Sequence, residues 1–332
     1  MQPTIKDVAR KADTSVSTVS RVLTGQGPVA DETRRRVLEA ISALGYQPNA
    51  LARGLVQKRT GTIGVVLPDV ANPFCAEVLR GMGDVAAAHR FHLLLVNADL
   101  SFAKEAEGIA VLREKQVDGI IYTSGMITEE HREIFRRLRR PVVLAATYDP
   151  ENEFPGIVVD ARRGGQLAME HVIDLGHRRI AVINGPKTDT VAGGPRWQGY
   201  QDAAQARGVL LAPQWIAEGD YRLESGYWAM DRILNQKELP TAVVAASDMM
   251  AIGAMNAVLD RGLRVPDDIA VVGFDNIWLA GAVRPALTTV AQPMYDMGAR
   301  AIATLAQIIS DQRHPGTQWI QPHLAIRGST AK

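Results

Sequence analysis

The 332-residue chain has a single cysteine, Cys75. No intrachain disulfide can form, which fits a reducing cytosol. No run of about 18 apolar residues occurs, so no membrane-spanning helix is expected. The first 15 residues are polar and helix-forming rather than leader-like, which predicts no export signal and a cytoplasmic location. Cysteine and histidine show no metal-ligand spacing, and no Ser-His-Asp signature emerges, so neither a metal nor a catalytic triad is expected. Phosphate-cradling loops are missing too. Ile63-Gly-Val-Val-Leu-Pro-Asp-Val-Ala-Asn-Pro73 has no G-x-G-x-x-G, and Thr190-Val-Ala-Gly-Gly-Pro195 has no G-K-[ST]. These absences argue against an enzyme and against a bound cofactor.

Net charge is also nearly absent, at +1, but that sum conceals an asymmetry. The first 60 residues hold 10 Lys and Arg against 5 Asp and Glu, and the remaining 272 hold 27 against 31. A basic head on a mildly acidic body is the footprint expected of phosphate contacts.

The head reads as a helix-turn-helix. Ile5, Val8, Ala9 and Ala12 recur at helical spacing, with Thr4 as N-cap and Asp7 three places on, a variant of the capping box. Asp13-Thr14 breaks that helix, and Ser15 caps a second one, Val16–Leu23, with Val19, Val22 and Leu23 turned inward. Its other face shows Val16, Ser17, Thr18, Ser20 and Arg21, small polar groups and one cation able to enter a major groove. A third helix, Ala30–Leu44, adds Val37, Ile41 and Leu44 to the core and stops at Gly45. Arg34, Arg35 and Arg36 sit near its start, where acids are favoured; that cost points to an outside anion.

After Lys58-Arg-Thr-Gly61 the pattern changes to alternating strands and helices. Thr62–Leu67, Phe91–Val96, Gly119–Tyr122, Val142–Ala146 and Ile157–Val159 read as buried parallel strands, followed by Ile180–Ile183, Ala242–Ala246 and Ala270–Phe274. Amphipathic stretches such as Ala76–His89, Ala103–Gln116, Gly165–Leu175 and Met249–Arg261 intervene. Two α/β series predict two doubly wound parallel-sheet subdomains with a cleft at the strand ends.

The motifs Thr4-Ile-Lys-Asp-Val-Ala9, Ser17-Thr-Val-Ser-Arg-Val22, Leu44-Gly-Tyr-Gln-Pro-Asn49 and Ala52-Arg-Gly-Leu55 resemble the headpiece of LacI/GalR-family bacterial transcription regulators. The likeness continues through Ile63–Pro68, Asp118-Gly-Ile-Ile121, Gly176-His177, Gly199-Tyr200, Pro266-Asp-Asp-Ile269 and Gly273-Phe-Asp275, essentially the whole chain. It implies a headpiece over residues 1–57, including a hinge helix at 48–56, a linker at 58–61, and an effector-binding and dimerisation domain over 62–332. That body would be periplasmic-binding-protein-like, one subdomain spanning about 62–160 and 291–321, the other 161–290 and 322–332. The chain would cross between them near Asp160-Ala161, Val290-Ala291 and Gln321-Pro322.

The resemblance also assigns roles. Val16, Ser17 and Thr18 would open the recognition helix, with Ser20 and Arg21 further along it. Thr4, Tyr46 and Asn49 would anchor phosphates. Ala52 and Leu55 belong to the hinge segment, where Leu55 would wedge into the central minor-groove step and bend the duplex. The family's usual turn glycine is replaced by Asp13, which tolerates the left-handed conformation better than most residues.

In the cleft, Asp275 at a strand end would accept sugar hydroxyls and Arg196 would donate to them. Tyr221 and Phe74 offer faces for a sugar's C–H surface. These four match effector-contacting positions of sugar- and purine-responsive family members. Asp160 and Asp248 are further candidates, Asp248 alternatively capping a helix from Met249.

The expected protein is a homodimeric regulator, a repressor of carbohydrate metabolism, on a pseudopalindromic operator of double-stranded DNA. Its effector is expected to be a sugar or sugar phosphate. Lys115–Ile121, Thr128-Glu-Glu-His131 and Gln292-Pro-Met-Tyr-Asp296 most resemble the family's catabolite-control branch; ribose-repressor members share several of these stretches. Seryl-phosphorylated HPr as corepressor is therefore the alternative. Against it, the basic residues that receive that phosphoserine correspond to Ala303 and Gln307, and a contacting tyrosine to His89. Tyr295 is kept, and Arg300 is a partial substitute.

Overall fold

The computed structural model describes residues 3–24, 27–46, 59–310 and 316–331. They fall into two compact units divided between Gly61 and Thr62. The expected hinge helix, with Asn49, Ala52 and Leu55, lies outside the described residues.

The first unit contains α1 (Ile5–Lys11), α2 (Val16–Thr24) and α3 (Asp31–Leu44). Val8, Ala9, Ala12, Val19, Val22, Val37 and Ala40 are buried between them, with Ile5, Leu23, Ile41 and Leu44 packed around this core. The Thr4 amide and hydroxyl both donate to Asp7 Oδ2, at 2.9 and 2.7 Å. Ser15 Oγ accepts from the Thr18 amide at 3.1 Å, so both expected helix starts are built as the sequence implies. Asp13 takes a φ of +48° and Gly45 closes α3 at +58°. One expectation is corrected. The helix α3 starts at Asp31, with Asp31 and Glu32 in its first turn. The arginines thus follow two acids that already satisfy the helix dipole, and no dipole cost is borne there.

The second unit opens with β1 (Thr62–Leu67), α4 (Pro73–Ala88), β2 (His92–Asn97), α5 (Phe102–Glu114), β3 (Gly119–Tyr122), α6 (Glu129–Leu138), β4 (Val142–Ala145) and β5 (Gly156–Val159). It continues with α7 (Ala161–Asp174), β6 (Ile180–Asn184), α8 (Gly193–Ala206), β7 (Ile216–Glu218), α9 (Leu223–Leu234), β8 (Ala242–Ala245), α10 (Asp248–Asp260) and β9 (Ala270–Asp275). It closes with α11 (Trp278–Ala282), β10 (Thr288–Ala291), α12 (Met294–Ile309), β11 (Gln318–Ile320) and β12 (His323–Ala325).

These strands form two six-stranded sheets, ordered β11-β5-β4-β3-β1-β2 and β12-β10-β9-β8-β6-β7. The first is parallel throughout. The second is parallel except at its edge, where β12 runs antiparallel to β10. Each sheet is covered on both faces by helices, so the central strands read as continuous Val, Ile and Ala runs. The chain leaves the first sheet after β5, returns to it after β10 and leaves again after β11. Val290 and Ala291 belong to β10, so the second passage falls at Gln292-Pro293, two residues later than expected. Among the described residues, no helix is long and apolar enough to cross a membrane.

Candidate functional site

In the first unit, α2 carries the surface expected to read DNA. Val16 is 41% exposed although apolar, and Ser17 and Arg21 are exposed beside it. Ser15 Oγ lies 2.8 Å from both Ser17 Oγ and Thr18 Oγ1, so the cap also orders the helix's first polar side chains. Thr4 spends its hydroxyl on Asp7, whose carboxyl is held below its usual range chiefly by that bond. Tyr46 is half-buried against the three-helix core.

In the second unit, β6, β8 and β9 end side by side at Asn184, Ala245 and Asp275. Arg196, one turn into α8, is buried there. Its guanidinium lies over the Phe274 ring, 3.8 Å from the centroid. Nη1 donates to the Ala246 carbonyl at 2.5 Å, and Nη2 stands 3.8 Å from Asp275 Oδ1. Its Nε is buried with no partner in the protein. Asp275 Oδ1 accepts from Gln292 Nε2 at 2.6 Å. Burial pushes the Asp275 carboxyl up to about 6, against the pull of Arg196 and Gln292.

The turn that presents Asp275 is strained: Asp275 has φ +122° and Asn276 +62°. Asp248 holds it from below. One carboxylate oxygen accepts the Ile277 amide at 2.8 Å, the other the Thr289 hydroxyl at 2.5 Å. Asp248 has no exposed surface, and Ser247, not Asp248, caps α10. Both expectations for Asp248 are therefore corrected: its oxygens are consumed inside the fold, and it positions Asp275. Burial, then the Asp275 charge, raise its carboxyl well above the ordinary value. Gly273 is required beside it, because a Cβ there would collide with Asp248.

Tyr221 forms the next wall. Its hydroxyl donates to Asp189 Oδ2 at 2.5 Å, and its ring lies so close to Gly185 that a Cβ would strike the phenol. Asp189 Oδ1 accepts the Val191 and Ala192 amides at 2.9 and 3.0 Å, and its carbonyl accepts Gly194 N–H at 2.7 Å. Asp189 thus ties the start of α8 to Tyr221.

The first sheet faces this corner through α4. Asn72 caps it by accepting the Phe74 amide at 2.9 Å, and Phe74 packs against the core of that lobe. Cys75, in the same turn, has its thiol pushed up to about 12 by burial, and the Asp69 and Asp275 carboxylates add to that shift. Arg222 Nη2 reaches Asp69 Oδ2 across the lobes at 4.0 Å. Asp160 sits at the first passage between sheets, its Oδ1 accepting the Arg163 amide at 2.9 Å. Sequence reasoning passed over Asp189, Gln292 and Thr289. Only Asp189 carries a local signal, an Asp just ahead of a Gly-rich helix start.

A helix-turn-helix unit followed by two α/β lobes, with a polar corner at their strand ends, defines a ligand-responsive DNA-binding regulator. A model of the lacI family of bacterial regulatory proteins matches residues 4–49, and one of the periplasmic binding protein-like domain matches 169–330. Catabolite control protein A of Priestia megaterium is 41% identical over 331 residues, covering 99% of this chain and 100% of that protein. The structure of the Lac repressor dimer bound to operator and the anti-inducer ONPF superposes with a TM-score of 0.90 at 28% identity, covering 100% of both chains. The transcriptional regulator CelR in complex with cellobiose gives 0.75 at 32% identity, covering 98% of this chain and 99% of that one. The chain belongs to the lacI family of bacterial regulatory proteins, and it is a DNA-binding transcription regulator.

Proposed function

We propose that the protein is a homodimeric repressor of carbohydrate metabolism whose operator affinity is set by a sugar or sugar phosphate held between the two lobes. The observation that carries this reading is the Arg196–Asp275 corner. Arg196 commits one N–H to Ala246 and leaves Nε buried and unpartnered, while Asp275 Oδ1 accepts from Gln292 and stands 3.8 Å from Arg196 Nη2. An unpartnered donor beside a carboxylate, whose oxygens each accept more than one bond, matches adjacent hydroxyls, which donate and accept at once. Phe74 and Tyr221 supply the apolar faces, and Asp248 and Asp189 hold the geometry. Binding there biases the angle between lobes and thereby the spacing of two headpieces, a population shift.

A homodimer is supported by apolar side chains exposed on neighbouring helices of the second lobe. Trp228 of α9 is 67% exposed, Leu259 of α10 46% and Trp278 of α11 73%. The Lac repressor relative is itself a dimer on its operator. Val16, Ser17, Thr18, Ser20 and Arg21 would read bases, with Thr4, Tyr46 and Asn49 at phosphates and Ala52 and Leu55 in the hinge. Corepression by phosphorylated HPr is disfavoured because Ala303 and Gln307 give α12 no cation there.

The test is fluorescence anisotropy of a pseudopalindromic operator against a panel of sugars, sugar phosphates and seryl-phosphorylated HPr. A sugar-dependent change of about tenfold in operator affinity is expected. A response to phosphorylated HPr alone would replace this reading.

A further inference from the structure

We propose that Arg327, on the segment that follows β12, is a positioning residue of the cleft: it fixes Asn276 and, through it, the presentation of Asp275 to a ligand. The proposal rests on the cleft being the effector site and adds a distant residue to its machinery.

The turn Asp275-Asn276-Ile277 has a backbone that side-chain-bearing residues seldom adopt, with φ +122° at Asp275 and +62° at Asn276. Such a turn keeps one shape only where its surroundings over-determine it. Two of its amides are held from within the lobe. Ile277 N–H is taken by Asp248 at 2.8 Å, and Asn276 N–H by the Thr289 hydroxyl oxygen at a long 3.3 Å. Neither bond fixes the Asn276 side chain. That falls to Arg327, whose Nη2 donates to Asn276 Oδ1 at 2.6 Å. A short bond from a charged donor is the stronger kind.

Arg327 can impose a position because it is itself immobilised at both ends. Its amide donates to the Thr288 hydroxyl oxygen at 2.8 Å, and that hydroxyl donates back to the Arg327 carbonyl at 3.0 Å. Its Nη1 donates to the Leu287 carbonyl at 2.8 Å. The planar fork therefore spans from the residue before β10 to the turn after β9. Both partners are neutral, so the guanidinium serves geometry here, in a way a single ammonium does not reproduce. Ser329 secures the same segment elsewhere: its hydroxyl donates to the Val271 carbonyl at 2.5 Å and accepts the Thr288 amide at 2.8 Å. Those bonds do not involve the turn, which makes Ser329 the control for general support of the lobe.

Calorimetry on the full chain tests this with D-ribose, D-glucose, cellobiose, ribose 5-phosphate and glucose 6-phosphate as probes. For whichever probe the unaltered protein binds, Arg327→Gln is expected to weaken binding about tenfold or more. Asn276→Ala is expected to weaken it comparably, and the double variant no further than the weaker-binding single one, because the two residues act through one bond. Arg327→Lys is expected to fall between Arg327→Gln and the unaltered protein. Ser329→Ala is expected to lower the denaturation midpoint while leaving probe affinity within about threefold. Full affinity in Arg327→Gln, or losses that multiply in the double variant, would overturn the proposal. An equal loss of affinity in Ser329→Ala would overturn it too, leaving Arg327 as general support of the lobe. Should Arg327→Gln not fold, Asn276→Ala decides alone, and full affinity there overturns the proposal. Absence of binding by every probe in the unaltered protein would overturn the effector-site reading and this proposal with it.

Discussion

Arg196 and Asp275 stand 3.8 Å apart in a nearly closed corner, and neither satisfies the other. The separation is too long for a hydrogen bond, so each keeps capacity that a ligand can use. Replacing Arg196 by Gln should cut effector-dependent modulation of operator binding at least tenfold, about 1.4 kcal/mol of coupling. Operator affinity without effector should stay within about threefold, since the headpiece is untouched. Anisotropy titrations with and without the active sugar decide it; full retention of coupling would remove Arg196 from the site.

Asp275 makes the response pH-dependent. Its carboxyl is pushed up to about 6, so on acidification through that value it gains a proton and loses acceptor strength. Effector affinity should therefore fall between about pH 7 and 5. The contribution to folding stability has the opposite sign. A native value above the ordinary one means the folded chain binds more protons in that window, so this group's contribution rises as pH falls. The groups around it are Arg196 and Tyr200 of α8, Tyr221, whose hydroxyl is also pushed upward, Asp248 of α10 and Cys75 of α4. The Tyr200 hydroxyl and Cys75 thiol are both pushed upward, away from this window. Asp275→Asn should flatten the binding profile measured by calorimetry across this range.

Parts of this site were legible in the sequence for a physical reason. Val65, Val66, Ile120 and Ile121 sit in strands buried on both faces, so they form apolar runs that end where the ligand-facing residues begin. Asp275 could be placed that way, whereas Arg196, one turn into α8, was placed by the family resemblance. The strands β11 and β12 could not, since Gln318-Trp-Ile320 and His323-Leu-Ala325 have no such run and are defined by pairing with distant β5 and β10. The same holds for Asp248, whose partners Ile277 and Thr289 lie 29 and 41 residues away. Asp189 was missed because its partner Tyr221 is 32 residues on.

Leu55 stands outside the described residues, and its role is carried by the headpiece motif alone. Leu55→Ala should weaken specific operator binding and reduce the bend, because an apolar wedge unstacks one base step to admit more contact. Non-specific binding, driven by phosphate charge, should change little. Gel mobility of circularly permuted operator fragments separates the two effects, and an unchanged bend would refute the wedge.

Helix packing beneath the cleft gives a prediction independent of any ligand. The helix α12 meets α4 through two glycines: a Cβ on Gly298 would collide with the Val78 carbonyl oxygen, and one on Gly81 with that of Tyr295. Both obstacles are backbone and cannot rotate aside. Gly298→Ala should therefore cost about 1–3 kcal/mol, the usual penalty of overpacking. Gly83 lies in the same helix as Gly81, yet nothing stands within 4 Å of its would-be Cβ. Gly83→Ala should instead gain about 0.5–1 kcal/mol by restricting the unfolded chain and favouring the helix. Chemical denaturation of the two variants should move the midpoint in opposite directions. Because α12 follows directly on Gln292, which holds Asp275, Gly298→Ala should also weaken effector binding, whereas Gly83→Ala should leave it unchanged.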